Sequence, residues 1–292
     1  MARASGPPPL HRRTVLLDGG LSNQLLAQGC DLSGALWTGR VLAGAPGEVA
    51  AAHTAYLRAG AEVLITASYQ VTDPALVRRS VDLAAGAAAA ADRPVWVAGS
   101  VGPYGAVLAD GSEYRGRYGL TEAELADFHR PRIEALAAAG ADLLAVETVP
   151  DTDEARALLR VLADCPVPAW LSYTVEGGRT RAGQPLDEAF GLVAGVPGVV
   201  AVGVNCCDPR EVGPAVRAAA AAAGKPVVAY PNDGSEWDAA AGVWRAPSRA
   251  VPWDAGQWQR DGARLIGGCC RVGPDRIAAL ATTLAGPEPG TE

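Results

Sequence analysis

A single-domain (β/α)8 barrel, the TIM-barrel form of the α/β class, is the fold this sequence predicts. Three observations predict it. Eight short apolar runs are spaced along the chain, stretches with helix signals lie between them, and small or turn residues mark the junctions. The chain has 292 residues, 49% of them hydrophobic, enough to fill a core of that size.

The runs fall at residues 15–17, 63–65, 95–97, 143–146, 169–171, 199–204, 227–229 and 265–266. They are continuously apolar rather than alternating, as strands buried on both faces are. Between them, "TEAELADFHRPRIEALAAAGAD" opens on Thr121, has Glu124 three residues later as a capping box, and closes at Gly140. Pro131 is expected to bend this helix. "DTDEARALLRVLAD" begins in the same way after Pro150, and the alanine-rich stretches at 83–92 and 216–225 also read as helices. Junctions such as "LRAGAEVLIT" and "AAAGKPVVAY" end a helix just before a strand. An open doubly wound sheet is the competing topology. No linker divides residues 14–284, which are expected to form one barrel. Residues 1–13 and 285–292 are Pro/Gly-rich and read as flexible tails.

The net charge is −7 and no Lys/Arg cluster appears, which argues against a nucleic-acid partner. The opening "MARASGPPPLHRR" has no apolar core of a signal peptide, and no run of roughly 18 apolar residues suggests a membrane span. A cytoplasmic location is therefore expected. Disulfides are disfavoured there, so the cysteines need another explanation.

Four of the six cysteines form two doublets, Cys206-Cys207 in "GVNCC" and Cys269-Cys270 in "IGGCC". They close the sixth and eighth predicted strands, at the barrel end where chemistry is done. Strand alternation sends Cys206 inward and Cys207 toward the helices. Gly267 and Gly268 free Cys269 and Cys270 to turn to one point. Cys206, Cys269 and Cys270 then offer three sulfurs and an open fourth position, the arrangement of a catalytic zinc. Buried bystanders and a redox pair remain alternatives on the residues alone. Cys30 and Cys165 read as small core residues.

Asp18 and Glu147 end the first and fourth strands, where they suit either capture of a substrate ammonium or salt bridges at the rim. "GSVGPYG" lacks the spacing of a dinucleotide loop. His11, His53 and His129 lie away from strand ends, which argues against histidine ligands and a histidine triad.

The motifs "LLDGGLSNQL", "LITASYQ", "GSVGPYGA", "LADGSEYRG", "ETVPDTDEA", "GVNCC", "YPNDGS" and "IGGCCRVGPDRI" together resemble the homocysteine S-methyltransferase family over residues 15–284. They are most similar to the branch using S-methylmethionine or S-adenosylmethionine. The resemblance implies zinc-dependent methyl transfer from a sulfonium donor to the thiol of L-homocysteine, giving methionine. It implies Zn2+ on Cys206, Cys269 and Cys270, and the homocysteine amino group on Asp18 and Glu147. It also puts Thr66 and Ser68 in the substrate pocket. Tyr69, Tyr104, Tyr173 and Trp244 are candidates for cation–π contact with the sulfonium, with plain packing as the alternative for most of them. Two features depart from the family pattern: Gln24 replaces a commoner Glu, and the loop after the second strand is short. The competing functions are methylation of another thiol or selenol such as selenohomocysteine, and a non-catalytic zinc-binding or redox-sensing barrel.

Overall fold

The structure is a computed structural model and describes residues 6–33, 36–238, 243–245 and 251–285. Of the two tails expected, residues 1–5 and 286–292 lie outside the described residues.

Every apolar run becomes a barrel strand. The strands are β1 (Val15–Leu16), β2 (Val63–Ile65), β3 (Trp96–Val101), β4 (Leu143–Val149), β5 (Ala169–Tyr173), β6 (Val199–Asn205), β7 (Val227–Tyr230) and β8 (Ala263–Ile266). All paired neighbours are parallel, and β1 lies beside β8. A parallel bridge between Leu17 and Val63 closes the ring. The sheet is therefore a barrel and not an open doubly wound sheet.

The strands are apolar throughout because both faces are buried. Trp96, Leu143, Ala145, Trp170 and Val228 fill the interior, while Val97, Leu144, Leu171, Val202 and Ala229 pack under the helices. Strands β4 and β6 run beyond their apolar stretches and carry Glu147 and Asn205 into the sheet. Leu10 is 4% exposed and joins the interior cluster. Trp96 Nε1 donates to the Gly6 carbonyl at 2.8 Å. Residues 6–13 are thus packed against the barrel rather than extending from it.

The helix Glu122–Ala138 starts at the Thr121–Glu124 capping box and continues through Pro131. The helix Thr152–Leu162 is capped by Asp151, whose side chain accepts from the Glu154 amide. Two short antiparallel hairpins were not foreseen. They pair Val175–Glu176 with Arg179–Thr180 after β5, and Glu236–Asp238 with Val243–Arg245 after β7. Among the described residues no helix is long and apolar enough to cross a membrane.

Candidate active site

The C-terminal ends of β6 and β8 bring three thiols together. The sulfurs of Cys206, Cys269 and Cys270 lie within 4.8 Å of one another, and Cys206 Sγ is 3.6 Å from Cys270 Sγ. Three sulfurs bound tetrahedrally to one zinc at about 2.3 Å stand about 3.8 Å apart, so the cluster fits such an ion with small adjustments. An all-sulfur set favours a thiophilic metal. Hydrogen bonds from Cys269 and Cys270 hold the Cys206 thiol well below its ordinary pKa, while Cys269 and Cys270 are pushed up. Cys207 faces the helix-side core, and burial pushes its thiol up.

The separation of Cys206 from Cys207 matches expectation, but its cause does not. β6 ends at Asn205, and it is Asn205 that points inward, accepting from Ser172 Oγ at 2.8 Å and the Thr148 amide at 2.7 Å. Strict alternation would then turn Cys206 outward. Cys206 has φ 50° instead, and this left-handed residue swings its sulfur back to the mouth. The two glycines before Cys269 also act differently from expectation. A Cβ at Gly267 would meet Leu17 Cβ at 2.5 Å, and one at Gly268 would meet Val272 Cγ1 at 2.1 Å. They permit close packing, not unusual dihedrals.

Asp18 and Glu147 are both buried near this cluster. Asp18 Oδ2 accepts from the Ile65 amide at 2.9 Å, and its Oδ1 has no partner. Burial, and secondarily the charge of Glu147, hold its carboxyl well above the usual range. Glu147 accepts from Ser100 Oγ and from the Tyr230 hydroxyl, and burial raises its pKa to about 7. Two buried carboxylates with an unused acceptor form a place for a cation. Thr66 and Ser68 lie at the end of β2, but their hydroxyls bond one another at 2.7 Å. Thr66 Oγ1 accepts from the Ser100 amide, and Ser68 Oγ donates to the Ser100 carbonyl. They tie β2 to β3 through these bonds.

A family profile described as homocysteine S-methyltransferase matches residues 15–284. The chain is 43% identical to the homocysteine S-methyltransferase of Escherichia coli, with 91% of this chain and 94% of that protein covered. It is 37% identical to homocysteine S-methyltransferase YbgG of Bacillus subtilis, over 91% and 93% of the two chains.

The chain belongs to the homocysteine S-methyltransferase family.

The homocysteine methyltransferase MmuM from Escherichia coli, solved in a metallated form, superposes with a TM-score of 0.83 at 41% identity. The match covers 93% of this chain and 96% of that one. As a family member the chain is a methyltransferase, and the geometry of its thiol cluster could hold a metal ion.

Of the aromatic candidates, Tyr69 belongs to this methyltransferase's mouth. Burial raises its phenol well above the usual range, and the charges of Cys206, Glu113 and Glu147 add to that. Tyr173 instead donates to the Ala189 carbonyl and packs on Phe190, and Tyr104 packs against Tyr118 and Phe128. Tyr173 is a core residue, and Tyr104 is half-buried against the core. The side chain of Trp244 lies outside what the structure describes. Gln24 pairs with Gln28 at 3.1 Å. The short loop after β2, residues 66–73, is held by the buried Arg132, which donates to the carbonyls of Tyr69 and Gly102.

Sequence reasoning missed Glu113 and Tyr114. Both stand in the motif "LADGSEYRG", and the Tyr114 hydroxyl lies 3.1 Å from Cys206 Sγ. Asn232, within the motif "YPNDGS", also supports the site: its Oδ1 accepts from the Cys270 amide at 3.1 Å.

Proposed function

We propose that this methyltransferase moves a methyl group from a sulfonium donor, S-methylmethionine or S-adenosylmethionine, to the sulfur of L-homocysteine. The observation that carries the proposal is the convergence of three thiols beside two buried carboxylates, one of which has an unpartnered oxygen. Cys206, Cys269 and Cys270 would hold Zn2+. Bound there, zinc supplies a Lewis acid that favours the thiolate form of a substrate thiol at its open position.

The protein's own residues handle the rest. Asp18 and Glu147 accept the homocysteine ammonium and so aim its side chain at the thiol cluster. The hydroxyl pair of Thr66 and Ser68 shapes the adjoining wall. Homocysteine loses its thiol proton to solvent, and a sulfur lone pair forms the new S–CH3 bond. The bond from that methyl to the sulfonium sulfur breaks, and its electron pair stays on the leaving sulfur as a neutral thioether. Holding the two substrates in line supplies much of the rate. The sheltered position of the cluster, with Cys206 6% exposed and Cys269 and Cys270 half-buried, limits competition from water. Thiols that must stay reduced suit the cytoplasm, where we assign the chain.

The test is a donor panel with the zinc-loaded protein, scored for methionine. Methionine is expected from at least one of the two sulfonium donors, with one zinc per chain and sulfur in its X-ray absorption shell. A fully zinc-loaded protein that forms no methionine from either donor overturns the proposal.

A further inference from the structure

The reaction proposed above leaves one buried charge at the mouth without a task. Glu113 lies in the single turn Ser112–Tyr114, is 4% exposed, and has an Oε2 with no hydrogen-bond partner. The next residue, Tyr114, sets its hydroxyl 3.1 Å from Cys206 Sγ, so this turn covers the thiol cluster.

The turn is fixed in place. A Cβ on Gly105 would meet the Glu113 nitrogen at 2.4 Å and the Ser112 carbonyl carbon at 2.7 Å, so only glycine lets the backbone approach this closely. Arg181 Nε donates to the Tyr114 carbonyl at 3.0 Å, and Asp151 Oδ2 accepts from the Arg117 amide at 2.7 Å. The nearest cation in sequence, Arg115, is exposed and paired with Asp110. A dry carboxylate held rigidly with a free oxygen is costly to fold unless a cation comes to it.

Glu113 is also set apart from the Asp18–Glu147 pair. The charge of Glu147 acts on Asp18, whereas Glu113, raised first by its burial, is acted on by Cys206, Asp110 and Arg115. The Tyr69 phenol feels both Glu113 and Glu147. The two carboxylates therefore serve the same mouth from different positions. One substrate ammonium occupies one pair of acids, and a second amino-acid head needs an acid of its own.

We propose that Glu113 receives the α-ammonium of the methyl donor and so selects sulfonium donors with an amino-acid head. This rests on the proposed reaction. A sulfonium centre offers no N–H, so a carboxylate can hydrogen-bond only the ammonium of such a donor.

The test compares zinc-loaded wild type with Glu113→Gln. Direct binding of S-methylmethionine is measured by calorimetry, and turnover is followed with S-methylmethionine and with trimethylsulfonium, which has no ammonium. The variant should bind S-methylmethionine at least about tenfold more weakly and raise its KM by a similar factor, as loss of a charge-assisted hydrogen bond does. The KM for homocysteine and the turnover of trimethylsulfonium should not change. Thermal unfolding without donor should show no loss of stability, because the amide removes a buried charge. Glu113→Asp, which keeps the charge but shortens its reach, should lie between the two. Unchanged binding of S-methylmethionine, equal losses on both donors, or a loss confined to homocysteine would each overturn the assignment. A wild type that binds S-methylmethionine through Glu113 but forms no methionine would instead overturn the proposed reaction.

Discussion

Asp18→Asn should weaken homocysteine binding while making the empty protein more stable. The two effects have opposite signs because of how the carboxylate is held. Its Oδ2 accepts the Ile65 amide at 2.9 Å, a bond the carboxamide oxygen of Asn can keep. Its Oδ1 is buried without a partner, and its pKa is well above the usual carboxylate range, chiefly through burial. The charge is therefore a cost to the fold until an ammonium arrives. A hydrogen bond between charged groups contributes about 1.5–3 kcal/mol, so its loss should raise the homocysteine KM about ten- to a hundredfold. Removal of the buried charge should raise Tm, by about 2 °C for each kcal/mol gained in a chain of this length. The assays are thermal unfolding at pH 8 and steady-state kinetics with homocysteine and with 4-mercaptobutanoate, which lacks the amino group. Zinc content should not change. Equal losses on the two thiols, together with a lower Tm, would refute the reasoning and make Asp18 a fastener of the β1 end.

Two further outcomes are expected. Cys206→Ala should lose zinc and activity, and Cys207→Ala should keep both, since only Cys206 faces the cluster; zinc analysis of the two proteins decides it, and reversed phenotypes would show the β6 end to be wrongly read. His53 is fully buried with both ring nitrogens unpartnered, and burial lowers its pKa from 6.5 to about 4. The folded state therefore binds fewer protons than the unfolded chain between those values, and stability is lost as pH falls from 6.5 toward 4. At pH 5 the loss from this one group is about 2 kcal/mol. His53→Leu should shrink the fall in urea midpoint between pH 7 and pH 5, and an undiminished fall would place the acid sensitivity elsewhere.

The strands were legible because a strand buried on both faces has to be apolar at every position, and no other element of this length has that need. The three clustered cysteines were legible for a mixed reason. Their position at strand ends was read correctly, but the register was not, since Asn205 takes the inward place that alternation gave to Cys206. Glu113 and Tyr114 could not be placed at all. They lie well past the end of β3, and what sets them over the thiols is the contact of Gly105 with the backbone of the turn, which leaves no periodic trace in the sequence. The tyrosines show the same limit. Tyr69 and Tyr173 both follow apolar runs, yet one stands at the mouth and the other in the helix-side core, and burial on both faces removes the polarity pattern that would separate them.

The need to aim side chains against the strand period explains where the backbone is unusual. Among the described residues, five non-glycine residues have positive φ, and three of these are Thr148, Cys206 and Arg271. The first directly follows Glu147, the second is the first cysteine of the thiol cluster, and the third directly follows Cys270. A left-handed conformation costs about 1–2 kcal/mol per residue, so each needs a local fastening. Each has one. Asn205 accepts from the Thr148 amide and donates to Thr148 Oγ1. The Cys206 amide donates to the Tyr230 carbonyl at 3.2 Å. Asn23 Oδ1 accepts from the Arg271 amide, and Asn232 Oδ1 accepts from that of Cys270. The asparagines beside the chemical residues in "LSNQL", "GVNCC" and "YPNDGS" thus have a structural task. They hold the strand ends in the conformations that turn thiols and carboxylates toward one point, and glycine could not replace Cys206 to relieve the strain without removing the sulfur that the strain serves to aim.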